Sequence, residues 1–468
     1  MKISAGVKKA MLGAMAWAVL GAAAQADDLA DDLADAVAAD YPYVFDLYKH
    51  FHQNPELSFK ESESAARMAA ELESLGFTVT TGVGDRWVRK KAKADAGAVL
   101  DGVGGYGLVA VMENGDGPTV MLRGDMDALP LEEKTGLSYA SKATGVDYLG
   151  QEAPVMHACA HDSHMAMLIG AARRLVDLKG QWSGTLVLIG QPAEEIGLGA
   201  LAMLEDGLYE RFPTPDYVLA THTSGWDAAG DVTYTPAYAL ANVDSVDIII
   251  KGVGAHGSAP HFGKDPIVIG AQIVNALQTL VSRELDPLSS GVVTVGAFQA
   301  GYKHNIIPDE AHLQLTVRSY EDDVRERLLA GIRRIAEAQA RSAGLPEDLM
   351  PEVRIESDYT PSTYNDPEMT ERVMAAIRES LGAERVYERP PSMGGEDFSR
   401  FARTREDVPT LIFWTGGNDP EAMRAAREGR APAPPANHSP FFAPIPEPTL
   451  KTGVHAMTLG ALELFGRD

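Results

Sequence analysis

Val120-Met121-Leu122-Arg123-Gly124-Asp125-Met126-Asp127 and Thr185-Leu186-Val187-Leu188-Ile189-Gly190-Gln191-Pro192-Ala193-Glu194-Glu195 follow one pattern, an apolar run that breaks into acids. Two further runs follow it in part: Tyr217-Val218-Leu219-Ala220 ends in Thr221-His222, and Thr410-Leu411-Ile412-Phe413-Trp414 ends in Thr415-Gly416-Gly417. Short apolar runs of this kind read as buried parallel strands, and the helical pattern from His164 to Leu178 reads as a crossover. Ligands of open α/β sheets bind beyond the carboxyl ends of the strands. Three of the four clusters carry acids or histidine, and all lie at that end, so the sequence places a site there.

Outward from these runs, the chain divides. A helix is expected from about Ser58 to Leu75, stopped by Gly76. From about Leu240 to Pro351 the pattern changes to a strand at Val243–Lys251, a helix at Pro266–Arg283, strands at Gly291–Phe298 and His312–Ser319, and a helix at Asp323–Ala343. Strands and helices mixed in this way, inside an α/β pattern, indicate an inserted α+β unit. The expected division is 27–239 and 353–468 for the α/β part and 240–352 for the insertion. Val88–Gly104 and Asp147–Glu152 read as loop insertions, and Arg424–Ala436 as a loop.

Residues 1–26 read as a cleavable export signal: Lys2, Lys8 and Lys9, an apolar stretch from Ala10 to Ala23, then Ala24-Gln25-Ala26. The apolar stretch is too short for a membrane anchor. Export, most naturally to a periplasm, is therefore the expectation. The chain of 468 residues has a formal charge of −25, and removal of three lysines and no acids would make it −28. Such an acidic surface excludes nucleic acid as a partner, which needs a basic footprint. The single cysteine, Cys159, has no internal disulfide partner.

The chemistry-bearing residues are individually ambiguous. Cys159 and His161, in Met156-His157-Ala158-Cys159-Ala160-His161-Asp162-Ser163-His164, suit zinc-like metals, and would share an ion only from a loop. The same cluster would also serve as a buried thiol beside structural histidines. Glu194-Glu195 suit one metal ligand beside one proton carrier, or two solvated acids opening a helix. His222 and His438 are each, alone, ordinary histidines. Asp125 and Asp127 suit paired acids or a capping turn. His256 lies in a glycine-rich turn, and Asn305 and Arg318 lie in the insertion.

In combination they are specific. Arg-Gly-Asp-Met-Asp-Ala-Leu-Pro (123–130), His-Ala-Cys-Ala-His-Asp (157–162), Gln-Pro-Ala-Glu-Glu (191–195), His222, the His256 turn, Met-Gly-Gly-Glu-Asp-Phe (393–398) and Asn-His-Ser-Pro (437–440) come in family order. The chain thereby resembles the dinuclear metallopeptidase family of carboxypeptidase G and the aminoacylases, closest to its hippurate hydrolase and indole-acetyl-amino-acid hydrolase branch. The resemblance covers nearly everything after Tyr41. It implies a zinc-peptidase-like α/β domain with a largely parallel sheet, and a ferredoxin-like lid and dimerisation domain. It implies two divalent ions (zinc, manganese, cobalt or nickel) and hydrolysis of the amide bond of N-acyl amino acids or short peptides.

The resemblance also assigns roles. Cys159 would bridge two ions, one completed by Glu195 and His438, the other by His161 and His222. A metal-bridged hydroxide would attack, with Glu194 as general base and acid, and Asp127 would orient a ligand. His256 would stabilise the oxyanion from the partner of a homodimer or higher homo-oligomer, and Asn305 with Arg318 would hold the substrate carboxylate. Ala160 stands where the family has glycine. If that position has a positive φ, alanine strains the loop by about 1 kcal/mol or more, enough that it could move Cys159 or His161; if φ is ordinary, the change is harmless. The alternative expectation is an exported metal- or ligand-binding protein of this fold that has lost catalysis. Glu194, an acid with no place in a pure ligand set, favours the enzyme.

Overall fold

The computed structural model describes residues 30–466; the export signal expected at 1–26 lies outside them. Eight strands form the main sheet. Their order is Thr78–Gly84, Tyr106–Asn114, Gly184–Gln191, Thr119–Asp125, Tyr217–Ala228, Thr410–Asn418, Val232–Tyr234 and Val386–Glu388. The four central strands, from Gly184–Gln191 to Thr410–Asn418, are mutually parallel. They are the four apolar runs, and helices cover both of their faces. The expectation of a largely parallel sheet holds for this centre. The sheet as a whole is mixed, because Tyr106–Asn114, Thr78–Gly84 and Val232–Tyr234 join antiparallel.

One face of the sheet carries the main core. Here the helix over residues 30–53 and the helices Ser62–Ser74, His161–Asp177, Pro367–Leu381 and Pro446–Phe465 bury Phe51, Leu72, Leu168, Leu175, Ile377 and Leu459. Each such side chain stabilises the fold by about 1.5–3 kcal/mol. His161–Asp177 and Pro446–Phe465 approach closely through glycine: a Cβ on Gly453 would stand 1.8 Å from the sulfur of Met167. A Gly453→Ala change would therefore force the Met167 side chain to move out of this contact. The other face is covered by Ala200, Met203, Leu208, Phe398 and Phe401.

The residues between Asp244 and Ile355 form a separate antiparallel sheet, ordered Gly291–Ala300, Glu310–Ser319, Asp244–Lys251 and Glu352–Ile355. Helices Pro266–Thr279 and Asp322–Ser342 pack on it, with their own core of Ile248, Ile273, Leu313 and Ile332. The chain order β-α-β-β-α-β and this strand order are ferredoxin-like. Two short bridges, Val243 to Thr360 and Leu240 to Ser392, lie where the chain enters and leaves this unit.

Three expectations are corrected. Val88–Gly104 is not simply a loop: Asp85–Ala96 is a helix whose Val88 and Ala92 are buried against Phe59 and Ala193. The expected loop at Arg424–Ala436 begins inside a helix, Pro420–Arg427, capped by Asp419. His222 does not end its strand, which continues to Ala228 because it stays paired with Thr410–Asn418.

Candidate metal centre and active site

The acids follow from the sheet register. Asp125 pairs with Gln191 at the ends of adjacent parallel strands, so Asp127 and Glu194-Glu195 emerge side by side. Asp127 is buried and ties this corner together. Its carboxylate accepts the backbone N–H of Glu194 and of Glu195, each at 3.0 Å, and the hydroxyl of Ser58 at 2.6 Å. Its carbonyl accepts Nδ1–H of His161 at 2.7 Å. Glu61, also buried, accepts the preceding N–H, that of Ala193, at 2.8 Å.

Cys159 sits in the loop before the His161–Asp177 helix. The Asn437–His438 loop is fastened to it: His438 N–H donates to the Ala158 carbonyl at 2.8 Å, and Asn437 donates to the Cys159 and Thr223 carbonyls at 3.2 and 2.9 Å. His222 donates Nδ1–H to the Thr223 carbonyl, which leaves Nε2 free, 3.5 Å from the Cys159 sulfur.

Two clusters result, each with its donor atoms within 4.8 Å of one another: Cys159, His161 and His222, and Cys159, Glu195 and His438. They share the thiol. His161 Nε2 and Glu195 Oε1 are buried without any hydrogen-bond partner. Buried polar atoms are normally paired, so orphans aimed at one another mark a place for an ion. The electrostatics agree. Burial pushes the Cys159 thiol up, and the Glu195 charge pushes it further. Burial pushes Glu195 up to about 8 and holds Glu194 well above the usual carboxylate range, helped there by Glu396 and then Glu195. Groups this reluctant to ionise become thiolate and carboxylate when a cation supplies the compensating charge.

A rival cluster, Asp125, His161 and His164, is as compact. Its members Asp125 and His164 are committed, however. His164 donates Nδ1–H to Asp125 at 2.5 Å and accepts Thr223 N–H on Nε2 at 2.7 Å, and Asp125 also accepts from Arg123. These residues support the site from behind.

The cleft beside the clusters encloses about 480 Å³ and is lined by Glu194, Arg318, Arg389, Glu396 and Trp414 among others. Arg318 comes from the ferredoxin-like unit. It donates to the Met393 carbonyl at 2.8 Å and, among the described residues, makes no ion pair with an acid. His256 and Asn305 do not line this cleft. His256 lies on the ribbon that pairs Ala255–His256 with Ile306–Ile307, and Asn305 immediately precedes Ile306, so of the three lid residues Arg318 alone lines this cleft.

Comparison with known proteins gives the family. Residues 121–429, more than half of the chain, match peptidase family M20/M25/M40. The chain belongs to this family. It is 36% identical over 427 residues to thermostable carboxypeptidase 2 of Saccharolobus solfataricus, covering 91% of this chain and 96% of that protein. It is 34% identical over 375 residues to hippurate hydrolase of Campylobacter jejuni, covering 78% of this chain and 88% of that protein. Among solved structures, the YXEP protein of Bacillus subtilis, described as a dinuclear metal binding peptidase from the M20 family, matches at a TM-score of 0.67 and 26% identity. That match covers 91% of this chain and 99% of that one. As an M20 peptidase the chain is a hydrolase of amide bonds.

The M20 chain uses residues that the sequence reading left without a role. Arg123 is fully buried and donates to Gln191 at 2.9 Å, Asp125 at 2.5 Å and Glu396 at 2.8 Å. His164, Asp125 and Glu396 stand inside the motifs already quoted, so the signal was present without a function attached. Glu61 had no signal, because its partner Ala193 lies 132 residues away.

Proposed function

We propose that the chain hydrolyses the amide bond of N-acyl amino acids or short peptides, using two divalent cations. The observation that carries this reading is the pair of ligand clusters sharing Cys159, beside an acid, Glu194, that belongs to neither. Cys159, Glu195 and His438 would hold one ion, and Cys159, His161 and His222 the other. Such ions, when bound, acidify water and polarise a carbonyl. Glu194 would take the proton from the attacking water and return it to the departing nitrogen, since amines leave poorly unless protonated. The backbone bonds from Asp127 fix where that carboxylate stands. Arg318, without an acid partner, would take the substrate carboxylate, for which its planar fork is suited. The carboxypeptidase and hippurate hydrolase among the relatives support amide substrates of this kind.

Our reading includes a homodimer. His256 as oxyanion donor needs a second protomer, since it lies off the cleft of its own chain, on a ribbon flanked by Phe262 and Tyr302, 76% and 87% exposed. It also includes export, on the strength of residues 1–26. The described residues hold no helix long and apolar enough to cross a membrane.

The test is metal content together with hydrolysis of an N-acyl amino acid panel, with and without chelator, beside Glu194→Ala. Chelator-sensitive release of amino acid, absent in Glu194→Ala with its metals retained, is the expected result. Absence of bound metal under metal-replete conditions would sink the ligand assignment. Two metals with no turnover would favour the binding-protein alternative.

A further inference from the structure

Glu396 belongs to neither ligand cluster, yet it lines the cleft, and one of its carboxylate oxygens lies within 4.8 Å of a carboxylate oxygen of Glu194. Its Oε1 is occupied, accepting Arg123 at 2.8 Å and the backbone N–H of Phe398 at 3.0 Å. Its Oε2 accepts no hydrogen bond from any of the described residues. Asp125 is the third acid of this group, but its side chain is sealed from solvent and its two oxygens are taken by His164 and Arg123. Of these three acids, Glu194 and Glu396 reach the cleft and Asp125 does not. A cation between them is disfavoured, because the Arg123 guanidinium already stands against Glu396.

Two oxygens this close share positions about 3 Å from each, an ordinary N–H···O distance. In the proposed reaction, Glu194 delivers a proton to the nitrogen of the scissile amide. That nitrogen already carries one N–H. In a cleft closed to water the N–H must be accepted or its hydration is lost without return. We infer that Glu396 accepts the N–H of the scissile amide, holding the nitrogen where Glu194 can protonate it. The inference rests on the amide-hydrolase reading above and narrows its substrates to secondary amides. An ester isostere would set oxygen lone pairs against the Glu396 carboxylate, and a site built to accept an N–H rejects an analogue lacking one.

The competing role is structural, with Glu396 as the counter-charge of Arg123 and the cap of the short helix Asp397–Phe401. The two roles separate when wild type and Glu396→Gln are assayed on N-acetyl and N-benzoyl amino acids and on the matching esters with –O– for –NH–. Glutamine keeps a carbonyl oxygen for Arg123 and Phe398 but turns an –NH₂ toward the substrate. The amide kcat/KM should fall roughly 10- to 100-fold more than the ester value. Equal losses for both substrates, or no loss for the amide, would overturn the role. Should the variant lose its metals or its fold, the wild type decides, through its affinity for a phosphonamidate and for the isosteric phosphonate ester. At least tenfold tighter binding of the phosphonamidate is expected, roughly one charge-assisted hydrogen bond, and equal affinity overturns the role. A wild type that hydrolyses no amide would instead remove the proposed function itself, and this role with it.

Discussion

Asp127 accepts the backbone N–H of Glu194 at 3.0 Å, so the position of the proposed proton carrier is set by a buried carboxylate 67 residues earlier in the chain. The same group accepts Glu195 N–H, and its carbonyl fixes the ring of His161. Asp127→Ala would leave two buried N–H groups unpaired and release the turn that carries a metal ligand. Loss of an orienting partner typically weakens metal binding by about 10- to 100-fold. Metal titration of the variant should show a loss of this size, with kcat reduced even at saturating metal. Unchanged affinity and kcat would remove Asp127 from the site.

Ala160 has φ +68° and ψ +29°, the left-handed conformation in which glycine rests without strain. The strain foreseen for a positive φ is therefore present. Cys159 and His161 nonetheless lie within 4.8 Å of their cluster partners. Ala160→Gly should relieve roughly 1–2 kcal/mol of backbone strain and return about 0.4–1 kcal/mol through the greater freedom of the unfolded chain. A net gain of about 0.5–1 kcal/mol should appear in the urea midpoint, with metal stoichiometry unchanged. A loss of stability would mean that the turn does not hold this conformation.

The legibility of the chain follows from the range of its interactions. The four central strands and the first five elements of the inserted unit could be read because their apolar periodicity is local, whereas its last strand, Glu352–Ile355, is too short to show one. The Cys159 and Glu194-Glu195 clusters could be read because motif order narrowed the choice that single residues left open. The buried Arg123 could not be interpreted, since Glu396, one of its acceptors, lies 273 residues away. Asp85–Ala96 was missed because its Lys- and Arg-rich surface hides the two residues, Val88 and Ala92, that it buries. His164 had no role in sequence, and its two committed ring nitrogens give it one, bracing Asp125 and the Thr223 backbone.

His52 lies buried between two acids, with Nδ1 2.6 Å from Asp162 and Nε2 3.0 Å from Glu133. Burial opposes its charge, but the hydrogen bonds to Asp162 and Glu133 outweigh this and raise the imidazole to about 9. A histidine raised on folding gives stability that is complete below the unfolded value near 6.5 and is lost as pH rises through about 9. The loss should be on the order of 3 kcal/mol. Urea midpoints between pH 6 and pH 10 should fall more steeply for wild type than for His52→Gln, and parallel slopes would contradict the charged imidazole. The variant itself should be weaker throughout, because two buried carboxylates lose their counter-charge.

The placement of His256 gives a prediction about assembly. Its imidazole is exposed and accepts the N–H of Ser258 on Nδ1 at 3.1 Å, while the cleft of its own chain lacks it. If each active site of a homodimer combines Glu194 from one chain with His256 from the other, Glu194→Ala and His256→Ala should each abolish most turnover alone. Removal of one oxyanion donor typically costs about 10²- to 10³-fold in kcat. A mixed dimer of the two variants, however, contains one site with both defects and one site with neither. Denaturing and refolding the variants together should therefore restore up to about a quarter of wild-type activity. That figure follows from random pairing, in which half of the dimers are mixed and each carries one intact site of two, a site whose composition is set by the isologous interface. No recovery from mixed dimers isolated by two different affinity tags would show that His256 acts within its own chain or not at all.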